Sequence, residues 1–403
     1  MKKTLYTLLI LSTLFFVANA QEDHIDVSKT QTLRLDPRST RGIAVSQLFD
    51  EVKFVPLETT PESLFGYISR LEVTKDSYII SDQDTHCILL FNLNGRFKTK
   101  IKLEKKPFNF DYRLIGEPLE TKIFVQNGLT ELTYDLNGKL LKKEDIKQTE
   151  FKKASYYLKP EGIEVKFEYI SDDRVYEIAM LKDGKVIYKG FPHAKDFFLK
   201  NGDLRPNLTY ANMPNELFFT KPYEYNIYRI SPKGTVLDYK LVFPSEYSIP
   251  LDFIADYDDQ IKRLNFRGKN RKIFYGLRNP IRSGNNLFFS TIGLVSTRGE
   301  KRDFVYNLKL NSLIALVDIE PDALSYYLPV TSIALNQEFS SSGGFNLFKN
   351  NYMYTSFSSL DMKVLKDQNP NKNVKYDSAL AKYFENYKSS NNPVLVVLKP
   401  KKD

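Results

Sequence analysis

Apolar and polar residues alternate in short runs along most of the chain, and turns of a common chemistry separate the runs. The turns centre on Asn94-Gly95, Asn137-Gly138, Asp183-Gly184 and Lys233-Gly234. Their glycines lie 43, 46 and 50 residues apart (95 to 138, 138 to 184, 184 to 234). Asn-Gly and Asp-Gly between alternating runs predict β-hairpins, because both central residues of the tight turn need positive φ. A hairpin recurring every ~40–50 residues has the period of a four-stranded propeller blade. The pattern predicts an all-β chain, a six-bladed β-propeller with four-stranded blades.

Blade one is expected from strands at 68–73, 78–81, 88–92 and 97–101. Blade two is expected at 122–126, 129–134 and from 140, and blade three at 163–169, 175–181 and 186–188. Blade four takes 216–220, 225–230 and 236–242, and blade five takes 286–292, 304–310 and 313–317. In blades two to four the strand after the glycine turn is the outermost. A closed propeller must seal its first blade to its last. The apolar run at 394–397 is therefore expected to pair with 52–55, so that an N-terminal strand closes the sixth blade.

The rhythm breaks after Gly234, and residues 244–283 read as an insertion. Within it Ile254, Tyr257, Ile261 and Leu264 recur at intervals of 3, 4 and 3 residues, one face of a helix. This predicts a helical insertion at about 251–264, docked by that face. A second insertion is expected at 319–345, a strand at 351–357, a mobile loop at 361–375 and a short helix at 378–387. Residues 21–50 read as a polar lead-in with one strand at 32–35, and 51–403 as the propeller.

The first twenty residues have the form of a secretory signal. Lys2 and Lys3 precede an apolar run from Leu5 to Val17, which ends at Ala18-Asn19-Ala20. The run is too short for a membrane span, which needs ~20 apolar residues, and no cysteine near the cut marks a lipid anchor. A periplasmic or extracellular location without a membrane span follows as the expectation. Cys87 is the only cysteine, so no internal disulfide is expected; its run, 87–91, suits a small buried hydrophobe. The formal charge of +9, or +7 without Lys2 and Lys3, is modest for 403 residues and does not point to nucleic acid. The 26 tyrosines and 29 phenylalanines suit packed sheets, and tyrosine can replace the missing tryptophan in a sugar groove.

Candidate chemistry is sparse. The three histidines, His24, His86 and His193, are scattered, and no metal-binding motif, phosphate loop or nucleophile elbow occurs. No metal or cofactor is expected. Asp82-Gln83-Asp84 with His86 is the most site-like acidic cluster, although aspartate is favoured in turns regardless. The sharper feature is basic. Lys262, Arg263, Arg267, Lys269, Arg271, Lys272, Arg278 and Arg282 fall within 260–282, where no acidic residue occurs. Arginine forks suit carboxylate, phosphate and sulfate, and loops on a rigid scaffold commonly carry binding groups. The bland alternative is a solvated loop balanced by Asp256, Asp258 and Asp259. Tyr326-Tyr327 and Tyr352-Met353-Tyr354 read as packing or as a groove lining. Asn207-Leu208-Thr209 fits an N-glycan sequon, and Asp377-Ser378-Ala379 a bacterial O-glycan site.

Phe54-Val55-Pro56-Leu57-Glu58-Thr59-Thr60, Leu90-Phe91-Asn92-Leu93-Asn94-Gly95-Arg96-Phe97 and Asn392-Pro393-Val394-Leu395-Val396-Val397 together resemble the secreted six-bladed β-propeller family of Bacteroidota, itself distantly similar to NHL-repeat propellers. The resemblance spans essentially the whole chain after residue 20. It implies a periplasmic or surface propeller without an assigned reaction. The chain departs from that family at 103–108, which lacks the usual glycine-rich segment. The expected function is a binding module for a protein, a glycan or an anionic ligand; the alternative is a propeller hydrolase or lyase acting on a sugar or lactone.

Overall fold

The computed structural model describes residues 21–22, 25–105, 110–115, 120–145, 155–158, 161–213, 215–293, 301–331, 347–369, 371 and 373–403. The signal-like segment, His24, half of the departure at 103–108 and much of the insertion at 319–345 lie outside them. Six antiparallel sheets of four strands form the blades of a β-propeller. Blade one is Arg70–Val73, Ser77–Asp82, Cys87–Asn92 and Phe97–Lys102. Blade two is Asp111–Ile115, Lys122–Asn127, Thr130–Tyr134 and Leu140–Asp145. Blade three runs Ser155–Leu158, Ile163–Ser171, Arg174–Lys182 and Lys185–Ala194, and blade four Asn207–Tyr210, Leu217–Thr220, Asn226–Ser231 and Gly234–Val242. Blade five is Leu277–Ser283, Asn286–Thr291, Asp303–Asn307 and Ser312–Glu320.

Blade six closes the ring. Leu347–Lys349, Tyr352–Phe357 and Val394–Pro400 take Phe49–Pro56 as their outermost strand. The register sets Leu395 against Val55 and Val397 against Lys53, the pairing expected from the sequence. Strand side chains alternate between faces, and here each face meets a neighbouring blade. Ile79, Ile88 and Leu90 of blade one pack with Ile123 and Val125 of blade two, while Ile80, Leu89 and Phe91 pack against Leu395 and Val397 of blade six. Cys87 belongs to the second cluster and is fully buried, and burial pushes its thiol up.

The turns differ in kind. Asp183 and Gly184 both have positive φ, as the tight hairpin requires. At 95 and 138 only the glycine does. There the side chain before the turn shapes a longer connection: Asn92 Oδ1 accepts from the amides of Asn94 and Arg96, and Asp135 Oδ1 from those of Asn137 and Lys139. The left-handed glycine then closes a bulged turn. A Cβ on Gly95 would run into the Pro56 carbonyl oxygen, so this turn also locks blade one to the closing strand.

The lead-in is a strap of short strands. Gln21–Glu22 pairs parallel with the outermost strand of blade three, Ile25–Asp26 and Gln31–Arg34 with that of blade four, and Arg41–Ala44 with that of blade five. Residues 361–375 correct the expected loop: Ser359–Gln368 is a helix. Ser358 Oγ accepts from the Asp361 amide while Asp361 reaches back to the Ser358 amide, a capping box, and Met362 and Leu365 are buried. A further helix spans Ser378–Glu385, and Asp377 of the O-glycan motif is its N-cap.

The helical insertion divides in two, Phe253–Asp256 and Gln260–Lys269. Asp259 ends the gap and caps the second helix by accepting from the Ile261 and Lys262 amides. The break shifts the helical phase, so the expected docking stripe is corrected: Ile254, Ile261 and Leu264 are exposed, and Phe253, Tyr257, Arg263 and Phe266 face inward. Leu277–Ser283, assigned to the insertion from sequence, is the innermost strand of blade five. Pro280, two arginines and a bulge at left-handed Asn279 disguise its alternation.

Candidate functional site

The basic run does not act as one patch. Arg263, on the helix Gln260–Lys269, is fully buried. Its Nε and Nη2 donate to the two carboxylate oxygens of Asp203 at 2.8 Å each, Nη2 also reaches Asn201 Oδ1 at 2.8 Å, and Nη1 donates to the Tyr257 carbonyl at 2.9 Å. This fork ties the helix to the segment between blades three and four. Lys262 pairs with Asp258 one turn away on the surface. Arg282 donates to the Gly284 carbonyl and to the Tyr239 hydroxyl. Lys269, the last residue of the helix, and Arg271 and Lys272 just beyond it are exposed.

Arg267 and Arg278 converge. Both line a cavity of about 430 Å³. The innermost strands of blades four and five supply its walls through Asn207 and Leu277, and the helix Gln260–Lys269 overhangs it. The helix brings Arg267 one turn beyond the Arg263 anchor; the start of the blade-five strand brings Arg278. The Arg267 guanidinium lies over the Tyr275 ring, 5.2 Å from its centroid, yet its buried Nε has no hydrogen-bond partner. Burial lowers the Arg278 guanidinium from its ordinary value, and the nearby charge of Arg267 lowers it further. Two guanidinium groups thus share one small volume and repel.

Asp203 is the carboxylate among the lining residues, and both of its oxygens are engaged. Besides the Arg263 fork, the Tyr223 hydroxyl donates to Oδ2 at 2.9 Å. Burial raises the Asp203 carboxyl, but hydrogen bonds from Arg263 and Tyr223 outweigh that and hold it below the usual range. A third arginine at the wall, Arg205, is paired with Glu168 at 2.8 Å. The cavity therefore presents net positive charge, a setting for a carboxylate, sulfate or phosphate group. Its aromatic faces are already used: Tyr223 stacks on Phe253 with ring centroids 5.0 Å apart, and Tyr275 carries Arg267.

The other sequence candidates lie in turns and in the packing of the blades. Asp82 caps its own turn, accepting from the amides of Gly66 and Asp84 and from the Thr85 hydroxyl. His86 lies 3.4 Å from Asn127 Oδ1. Tyr326 and Tyr327 take left-handed turn conformations, and Met353 and Tyr354 are buried in blade six. His193 stacks on Phe197 and meets the buried Glu177 at 2.6 Å, and Lys221 meets the same carboxylate at 3.0 Å. Asn207, noticed only as a glycan sequon, lines the cavity with a buried Oδ1 that has no partner. Nothing in its local pattern marks it; the neighbouring blade makes the site. No helix among the described residues is long and apolar enough to cross a membrane.

No curated protein matches the sequence. Among solved structures, a candidate exported protein of Bacteroides fragilis is similar over 92% of this chain and 100% of its own, with 14% identity and a TM-score of 0.64. A member of the DUF4221 family from Bacteroides vulgatus covers 88% of this chain and 97% of its own, at 11% identity and a TM-score of 0.45. At such identity the first of these likenesses speaks for the fold alone. The sequence profile of the family described as a domain of unknown function, DUF4934, matches residues 30–399, and the chain belongs to that family.

Proposed function

We propose that this chain is an extracytoplasmic binding propeller that captures an anionic ligand in the cavity between blades four and five. The observation that carries the reading is the convergence of Arg267 and Arg278 on one volume, with Arg267 Nε buried and unpartnered. An unmatched buried donor is costly, by about 1–3 kcal/mol, and a bound anion would relieve both that cost and the guanidinium repulsion. Exposed Lys269, Arg271 and Lys272, at and beyond the end of the helix that carries Arg267, would raise the local anion concentration. Binding is favoured over a hydrolase or lyase because Asp203, the carboxylate at the wall, is occupied by Arg263 and Tyr223 and is not free for proton transfer. The signal-like residues 1–20 support the location, as does the description of the Bacteroides fragilis structure as a candidate exported protein.

The test is calorimetric titration with acetate, sulfate and phosphate at low ionic strength. At least one anion should bind, more weakly as salt rises. Arg267→Gln and Arg278→Gln should each lower that affinity about tenfold, the loss of one charge-assisted hydrogen bond. Absence of binding by all three anions, or unchanged affinity in both variants, would overturn the reading.

A further inference from the structure

The cavity has a second pole. Asn207 begins the innermost strand of blade four, and Thr220 is its register partner on the next strand. Thr220 is satisfied: its hydroxyl donates to the Leu277 carbonyl at 3.1 Å. Asn207 Oδ1 is not, for it is buried at the wall without a partner. A buried amide oxygen asks for a donor, whereas the buried Nε of Arg267 asks for an acceptor. A bare inorganic anion supplies acceptors and leaves Asn207 unsatisfied. A ligand that satisfies both poles carries a negative group and, on the same small framework, a hydroxyl or other donor.

The walls restrict that framework further. Tyr223 and Tyr275 are almost fully buried, with one face of each taken by Phe253 and Arg267, so neither ring offers the flat platform that holds a neutral sugar. Pro206, Pro222, Leu277 and Ile292 supply aliphatic surface instead. About 430 Å³ lies in the range of small-molecule pockets of ~300–1,000 Å³ and is far below what a folded partner would need. We infer that the ligand is a hydroxylated carboxylate of the sugar-acid class, with its carboxylate at Arg267 and Arg278 and a hydroxyl donating to Asn207 Oδ1. The inference rests on the anion-binding reading above and narrows it to one class of ligand. It also gives the sequon asparagine a role without any glycan attached to it.

Titration of the full chain after residue 20 with glucuronate, galactose and acetate separates the two poles. Glucuronate is expected to bind at least tenfold more tightly than acetate, and galactose not at all. Asn207→Ala should cost glucuronate about tenfold, one hydrogen bond's worth, while leaving acetate affinity unchanged. Arg267→Gln should weaken glucuronate and acetate together. A near-ultraviolet circular dichroism spectrum unchanged in both variants checks that the blades still pack. Acetate bound as tightly as glucuronate, an Asn207→Ala variant that keeps full glucuronate affinity, or galactose bound as well as glucuronate would each overturn the inference and leave the anion site standing. Absence of glucuronate binding would overturn the inference, and absence of acetate, sulfate and phosphate binding as well would remove the anion site with it.

Discussion

Asp303 shows how one side chain, at the start of the third strand of blade five, can set a property of the whole fold. It is buried, and burial pushes its carboxyl up to about 6, against the Ser290 hydroxyl that donates to it and the charges of Arg302 and Arg278. In the unfolded chain the group should titrate near ~3.9. Between roughly pH 4 and 6 the folded state holds a proton that the unfolded state has lost, so stability falls as pH rises through that window. A shift of about two units corresponds to about 3 kcal/mol, lost by pH 7. Asp303→Asn should therefore gain on the parent chain by up to that amount between pH 4 and pH 7, read by urea unfolding at each pH. A difference that stays flat would show that Asp303 does not titrate this way. At this scale the sequence was only partly legible. The eight basic residues were visible as a run, but their roles diverge. Arg263 is a buried strut because Asp203 and Asn201 happen to face it, Arg267 and Arg278 open onto a cavity, and Lys262 is a surface partner of Asp258. The role of Arg263 depends on residues some sixty positions away in the chain, and that of Lys262 on one four positions away.

Among elements, the strap along 21–44 carries the clearest prediction. Blades three, four and five have outer edges covered by its short parallel strands. Blades one and two end instead on Phe97–Lys102 and Leu140–Asp145, whose sequences hold Lys98, Lys100 and Lys102, and Lys142 and Lys143. Lysine on an open edge discourages pairing with another chain, and a covering strand achieves the same end. Leu33 and Leu35 of the strap are buried, and each is worth about 1.5–3 kcal/mol. Removing residues 21–44 should lower stability by ~3–6 kcal/mol and expose the edges of three blades to self-association. Thermal unfolding and size-exclusion chromatography over a concentration series would measure both; an unchanged Tm with a monomeric profile would refute the protective role. The sequence showed one strand here, at 32–35, because the others are too short to display a period. The helix Ser359–Gln368 escaped for a related reason. Its lysines, and the asparagines that follow it, resemble a loop, and its decisive signals are the Ser358 cap and the buried Met362 and Leu365.

For the whole molecule, the ring is held at one seam. Val394–Pro400 lies between Tyr352–Phe357 from the C-terminal part and Phe49–Pro56 from the N-terminal part, and Val394, Val396 and Leu398 are fully buried there. Truncation after residue 393 should leave blade six without its third strand and the ring open, abolishing the cooperative unfolding transition seen by circular dichroism; a truncated chain that still unfolds cooperatively would refute this. The hydrophobic period and the spacing of four turns determined, without any structure, that the chain is all-β, that its blades have four strands, that there are six, and that 52–55 meets 394–397. These are legible because strand alternation and turn chemistry are local, and because equal spacing turns a local motif into a count. The innermost strands of blades two to six were missed, since strands at a channel mix polar and apolar residues without a clean period. The cavity was decided by tertiary structure alone. Arg267, Arg278 and Asn207 come from a helix and two blades, and their common volume exists only once the ring has brought the innermost strands of blades four and five side by side. Burial, pairing and the absence of a partner are relations between distant residues, and a sequence read position by position contains the residues but not those relations.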